Sequence, residues 1–262
     1  DGLSIKSKVN RYESQRTREE LQLIAKNVNK IDELIVTDLN FGMYKQDMET
    51  AKEIANIQKN YNYPISVDAP AGKNMPKRII SIASIIKGWS MGGVIQSSDP
   101  DVLKAIRRSN ISISAYQDLI DFGNKQKDNR TYTEIILGLP SDTKEKHFES
   151  LRLGVEKSVN NLRMHQAMLL TGTEMASKRD REKYGLVTKF RTLPGNVGNY
   201  NILNEEHPVA EIEEIVVGSN TLSMNDYVEC RIMNLIIKTF YNNNIFDEIH
   251  SMQRAMGISP FD

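Results

Sequence analysis

The chain has 262 residues, with 34 basic and 34 acidic side chains and a formal net charge of zero. That balance gives no support for nucleic-acid binding through a basic surface, and no apolar run nears the ~18 residues of a membrane-spanning helix. The single cysteine, Cys230, excludes an internal disulfide framework, and the opening residues lack the apolar core of a signal peptide, so a cytoplasmic setting is expected.

In chain order, Thr17-Arg-Glu-Glu20 has a capping-box pattern and opens a helix through Leu21, Ile24, Ala25 and Val28. Residues 33–38 read as a buried strand, 47–61 as a helix with Ala51, Ile54 and Ile57 inward, and 65–68 as a short strand. A helix over 76–87 and a strand over 93–97 follow. Asp99 caps a helix whose first position is Pro100, where proline is tolerated. Residues 115–125 read as helix. The run Thr133-Glu-Ile-Ile-Leu137 has no polar alternation, as in a strand buried on both faces of a parallel sheet. It stops at Gly138 and Pro140, and Asp142 with Glu145 reads as an N-cap and its capping-box partner for a helix over 144–158. A strand over 162–170 ends the series.

Strands alternating with helices imply parallel βαβ units over 1–176. Five strands are countable, too few for a complete eight-stranded barrel. Residues 177–206, rich in Lys, Arg, Gly and Asn, read as a linker. The stretch 207–262 reads as an accessory α+β unit, with a strand over 211–217 and a long helix capped at Ser223 that passes through Ile232, Leu235, Ile236 and Phe240. Neither end of the chain reads as a natural terminus, so a piece of a longer protein is expected.

Every strand ends in polar or glycine residues, and parallel strand ends gather on one functional face. Asp38, Asn40, Gln96, Ser97, Asp68 and Gly138 occupy such ends. Ser98, Asp99 and Asp142 are explained as helix caps, whereas Asp38, Asn40 and Gln96 have no capping duty and are candidates for ligand binding. Arg108, just past a helix, suits a surface charge and an anion binder equally. His147, His165, His207 and His250 are scattered and form no metal-spaced pair. Cys230 reads as a small buried hydrophobe. The sequence has no Gly-rich phosphate loop and no serine-nucleophile elbow.

Four segments carry a family resemblance over residues 1–175. They are Thr37-Asp-Leu-Asn-Phe41; Val94-Ile-Gln-Ser-Ser-Asp-Pro-Asp-Val-Leu-Lys104 with Arg107-Arg108; Glu134-Ile-Ile-Leu-Gly-Leu-Pro-Ser-Asp-Thr143; and Met168-Leu-Leu-Thr-Gly-Thr-Glu-Met175. In this order and spacing the chain resembles the radical S-adenosylmethionine (SAM) enzymes. Asn220-Thr-Leu-Ser-Met-Asn-Asp-Tyr227 is similar to extensions in their cobalamin-associated branch.

The resemblance implies a partial (β/α) barrel with the first strand missing. It also implies SAM, a [4Fe–4S] cluster whose Cys-x-x-x-Cys-x-x-Cys ligands are expected upstream of Asp1, and cobalamin as a further cofactor. A reductant protein such as flavodoxin or ferredoxin and a small-molecule substrate are the implied partners. By position, Asp38 and Asn40 would hold the methionine end of SAM, although Asp-Leu-Asn stands where the family has Gly-Gly-Glu. Gln96 and Ser97 would reach the ribose and carboxylate, with Arg108 assisting. Gly138, Leu139, Leu170 and Thr171 would line the adenine. Asp68 and Lys73 would face the substrate. Alone, without cluster ligands, the chain is expected to be inactive. The alternatives are a cluster-free barrel lyase, or a non-catalytic binding or scaffold subunit.

Overall fold

A computed structural model describes residues 12–38, 40–72, 75–125, 131–242 and 244–262. The order is α1 (Ser14–Asn27), β1 (Glu33–Ile35), α2 (Asp47–Tyr61), β2 (Ser66–Asp68), α3 (Pro76–Ala83), β3 (Trp89–Gly92), α4 (Pro100–Ala105), α5 (Ile113–Lys125), β4 (Thr131–Leu137), α6 (Lys144–Glu156), β5 (Asn161–Gln166), α7 (Lys178–Tyr184), β6 (Val187–Ile202), β7 (Glu205–Gly218), α8 (Met224–Ile236) and α9 (Asp247–Ala255). A π-helical turn, Ile237–Tyr241, extends α8.

Strands β1 to β5 form one parallel sheet in sequence order, and β6 and β7 form a separate antiparallel ribbon. The sheet is mixed with helices as expected, and it is open rather than closed into a barrel. Parallel register partners share a face, so burial identifies the two sides. Leu34, Val67 and Trp89 are paired across β1, β2 and β3 and all are buried under α1, α2 and α3. On β4, Thr131, Thr133, Ile135 and Leu137 are fully buried on that same side. Leu162 of β5 joins Ile135, Leu151 and Val155 there, beneath α6. Gly154 lets α6 approach, since a Cβ at that position would lie 2.9 Å from Leu162 Cδ2.

The helix starts follow side-chain chemistry, with corrections to two expectations. Helix α1 begins at Ser14, ahead of Thr17, with no side-chain cap. Asp99 does cap α4, accepting from Asp101 and Val102 N–H groups at 2.9 and 3.0 Å. Helix α6 is capped by Thr143, whose hydroxyl accepts from Lys146 N–H at 3.2 Å, and not by Asp142. Ser223 and Asp226 form a full capping box on α8.

Two strands move. β3 is Trp89–Gly92 rather than 93–97, because the chain leaves the ladder at Gly93 and touches it again only at Gln96, which bridges Ile135 with a positive φ of 55°. β5 ends at Gln166 rather than 170. Beyond it, Met168 bridges Ile215 of β7 and Leu169 N–H donates to Glu214 O at 2.9 Å.

The stretch 177–206 is not a bare linker. It holds α7 and the 16-residue β6, because pairing with β7 overrides its glycine- and asparagine-rich composition. The ribbon joins the body through Arg181, whose guanidinium donates to both Glu214 oxygens at 2.6 Å, with Thr188 donating to the same carboxylate at 2.6 Å. On α8, Ile232, Leu235, Ile236 and Phe240 are exposed, while Tyr227, Cys230 and Asn234 face the body. Among the described residues, no helix is long and apolar enough to cross a membrane.

Candidate functional site

The face of the sheet that the helices leave bare carries a polar row. Register places Ile35, Asp68 and Ser90 side by side across β1, β2 and β3. Gly92 then pairs with Tyr132, Glu134 with Arg163, and Ile136 with His165. Tyr132 lies flat on this face because Gly92 has no side chain, and a Cβ there would sit 2.4 Å from the ring. The Arg163 guanidinium covers the other side of the ring at 3.8 Å from its centroid, a cation–π arrangement. Arg163 Nη1 also lies 3.8 Å from Glu134 Oε1. Burial pushes the Tyr132 phenol up to about 12, so it stays protonated. The result is a half-buried cation fixed over an aromatic ring, with one carboxylate beside it and Asp68 nearby. Such a surface can hold a zwitterionic or polyhydroxylated ligand by orientation.

The residues expected at strand ends fall into several places. Asp38 and Asn40 stand together at the end of β1, where the Asp38 carboxylate accepts from Asn40 N–H at 2.9 Å. With Thr37, Phe41 and Tyr44 they line a cavity of about 820 Å³ beside α1. Gln96 lies at the β3–β4 junction, its backbone bonded to Glu134 O and Ile136 N–H. Ser97 is buried and its hydroxyl accepts from Asp99 N–H at 3.2 Å, a local turn duty. Arg108 is exposed past α4. Gly138 adopts φ +84° and donates to the Asp142 carboxylate at 3.3 Å. Leu139 is buried against Val102, Ala167 and Val216, whereas Leu170 and Thr171 are exposed. Leu139 and Leu170 both line a second cavity of about 710 Å³, together with His165, Met168 and Arg191. Asp68 belongs to the polar row. Lys73 lies outside the described residues.

Sequence reading missed Tyr132, Glu134, Arg163 and His165. Their signal was present as alternation, at 132 and 134 on β4 and at 163 and 165 on β5, but an apolar run hid it. Asp142, read from the sequence as a helix cap, is buried instead, and burial pushes its carboxyl up to about 7 even though Gly138 and Thr143 N–H groups pull it back.

The donor set for an iron–sulfur cluster does not fit this chain. Cys230 is buried in α8, and burial pushes its thiol up to about 12, the reverse of a thiolate ligand. Among the described residues, no group of three or more His, Cys, Asp or Glu side chains converges.

No protein-family model matches the chain. It is 28% identical over 237 residues to the cobalamin-dependent radical SAM methyltransferase TokK of Streptomyces tokunonensis, covering 87% of this chain and 33% of that protein. It is 27% identical over 241 residues to the 2-(S-pantetheinyl)-carbapenam-3-carboxylate methyltransferase of Streptantibioticus cattleyicolor, again 87% and 33%. The chain therefore spans about a third of the length of these curated relatives. Among solved structures, the radical SAM methyltransferase TsrM of Kitasatospora setae with cobalamin and a [4Fe–4S] cluster bound has a TM-score of 0.48 at 13% identity, over 74% of this chain and 35% of that one. That likeness is too slight to bear on the reaction.

Proposed function

We propose that this chain, a relative of the cobalamin-dependent radical SAM methyltransferases, is the SAM- and substrate-holding part of a methyltransferase acting on a small molecule. The observation that carries the reading is the polar row on the bare sheet face, Asp68–Tyr132–Glu134–Arg163, in a chain with these relatives. The open parallel sheet would be part of an incomplete (β/α) barrel with this face as its interior, and 207–262 would be an accessory unit.

In this reading Asp38 and Asn40 receive the methionine end of SAM. Gln96, Glu134 and Arg163 take its ribose and carboxylate, with Arg108 at the rim. The backbone at Gly138 and Leu139, and the segment at Leu170 and Thr171, flank the adenine. Arg163 is held rigid by Tyr132, so ordering it on binding costs little side-chain entropy. Ser97 supports the Gln96 turn from beneath and does not touch ligand. Asp68 faces the substrate end of the row, and Lys73 is assigned to that end by sequence alone.

Cobalamin and a [4Fe–4S] cluster belong to the proposed activity through the relatives. The cluster ligands are not among this chain's own residues, and we derive no step through it or through cobalamin. When bound, SAM supplies the methyl group and the adenosyl moiety. What the chain's residues do is orient it and keep it apart from water. A small electron-donor protein such as a flavodoxin or ferredoxin is the proposed reductant.

Calorimetric titration with SAM and with S-adenosylhomocysteine tests the reading. Arg163→Ala is expected to weaken SAM binding about tenfold or more, since a charge-assisted bond to a carboxylate contributes ~1.5–3 kcal/mol. Phe190→Ala, on the ribbon, is expected to leave binding unchanged. Equal affinity in the wild type and Arg163→Ala would remove Arg163 from the site. No binding of either ligand at millimolar concentration would sink the reading.

A further inference from the structure

A third cavity, of about 580 Å³, shares no residue with the polar row. Its walls come from α4 and the segment just past it, from the start of α6, and from α7. Five cations line it: Lys104, Arg107, Lys146, Arg179 and Lys183. Three carboxylates accompany them, those of Asp101, Glu174 and Asp180.

These charges are not all matched. Arg107 donates to Glu174 at 2.9 Å. Lys146 lies 3.0 Å from Asp99 and 3.7 Å from Asp101. Lys183 donates to the Tyr184 hydroxyl at 2.8 Å and has no carboxylate partner among the described residues. The side chains of Lys104 and Arg179 have no hydrogen-bond or ion-pair partner among the described residues, and neither has the Asp180 carboxylate. Three cations are thus left without a carboxylate, against one carboxylate without a cation. Hydroxyl groups of Ser141, Thr143 and Tyr184 line the same space. The first turn of the 13-residue α6 borders it through Thr143 and Lys146, so the positive end of that helix dipole adds to the field.

We propose that this cavity binds a sugar phosphate, the phosphate monoester of a hydroxylated small molecule. A dianion suits the three cations that lack carboxylates. The Arg179 guanidinium can fork two phosphate oxygens, while Lys104 and Lys183 act as point charges. The Ser141 and Thr143 hydroxyls can donate to the remaining oxygens. The carboxylates argue against a bare anion, which they would repel, and for a body whose hydroxyls can donate to Asp101 and Asp180. The size argues the same way, because the volume falls in the ~300–1,000 Å³ range of small-molecule sites and exceeds what one phosphate group fills. Charged and hydroxyl-bearing side chains make up nearly the whole lining, so an apolar body has nothing to pack on. The cavity carries the inference by itself, without reference to SAM or to the polar row.

Calorimetric titration of the complete chain at low ionic strength tests this. The probes are ribose 5-phosphate, glucose 6-phosphate, glucose and inorganic phosphate. At least one sugar phosphate is expected to bind about tenfold or more tightly than inorganic phosphate, with no binding of glucose. Lys104→Glu and Arg179→Glu are each expected to weaken that binding about tenfold or more, since each puts repulsion in place of a charge-assisted bond. Lys59→Glu makes the same charge change on α2, outside the cavity, and is expected to leave binding unchanged. Equal weakening in all three variants would show a general effect of net charge and overturn the site. No binding of either sugar phosphate at millimolar concentration overturns the proposal, and so does inorganic phosphate binding as tightly as both. Lys104 and Arg179 are exposed, so both variants should keep the wild-type urea midpoint. If one does not, the other still decides. Normal SAM binding with no sugar-phosphate binding would fail this inference alone, and the reverse would fail the proposed function alone.

Discussion

Strand pair β4–β5 keeps one register throughout, whereas the longer pair β6–β7 shifts register twice, and different forces hold the two. On β4, one side is sealed under α6, with Thr133, Ile135 and Leu137 at 0% exposure. The ribbon faces water along most of its length, leaving Phe190 at 71% and Val197 at 69% exposed. Burial of each large apolar side chain contributes ~1.5–3 kcal/mol, so the first pair draws on the core of the molecule. A hairpin in water has little beyond its own ladder and is marginal by itself. The polar row stands on the first kind of pair. Its precision comes from strands that cannot shift without opening the core, whereas the outer part of the ribbon, exposed at Phe190 and Val197, contributes no residue to the row.

The sharpest break of that comparison is by truncation on each side. Leu162→Ala, beneath α6, is expected to cost ~2–5 kcal/mol in urea unfolding, through lost transfer energy and the cavity left behind. Phe190→Ala is expected to stay within about 0.5 kcal/mol, as for an exposed position without special contacts. Similar losses at the two sites would mean that the ribbon shares the core's stability, and the comparison would fail.

A subtler difference lies at the turn where β4 enters α6. Asp142 is 1% exposed, and burial pushes its carboxyl up to about 7. The folded protein thus favours the neutral acid relative to the unfolded chain, whose carboxyl titrates near its ordinary 3.8. A raised folded pKa contributes stability that is fully present below about pH 4 and is lost as pH rises through 7. The melting temperature should therefore fall between pH 5 and pH 8, by about 2–4 °C for each kcal/mol in a chain of this size. Asp142→Asn is expected to flatten that fall. A wild-type profile as flat as the variant's would show Asp142 ionised in the fold.

What was legible in the sequence divides along the same line. Elements held by burial announced themselves: the helices through Ala51, Ile54 and Ile57 and through Leu151 and Val155, and the strand from Thr133 to Leu137. The Asp99 and Ser223 caps were legible because their chemistry is local. The polar row was not, because it depends on register. Nothing in sequence says that Gly92 lies opposite Tyr132 or that Arg163 lies beside Glu134. β3 was displaced because Val94 and Ile95 are apolar, whereas Gln96 takes a backbone conformation that no propensity announces. β6 was read as linker because long-range pairing with β7, invisible locally, outweighs the glycines and asparagines. Helix α8 was legible as a helix, yet the apolar positions that mark it, Ile232, Leu235 and Ile236, are exposed. A two-sided apolar helix offers a sequence no way to choose between faces.

The smallest effect is expected where the ribbon meets the body. Arg181 and Thr188 hydrogen bonds hold the Glu214 carboxyl at about 2, below its ordinary 4.5. A depressed folded pKa contributes stability that is present above about 4.5 and is lost as pH falls toward 2. Because the pair ties only the ribbon's base, this loss should be local. Amides of residues 187–192 should exchange a few-fold faster at pH 3 than at pH 6 after correction for intrinsic rates, while those of β4 stay protected. Glu214→Gln should show the faster rates at both pH values, since an amide cannot accept Arg181 as a charged fork. If β4 loosened together with the ribbon, Glu214 would be a strut of the whole fold, and the ribbon could no longer be treated as a unit that moves apart from the site.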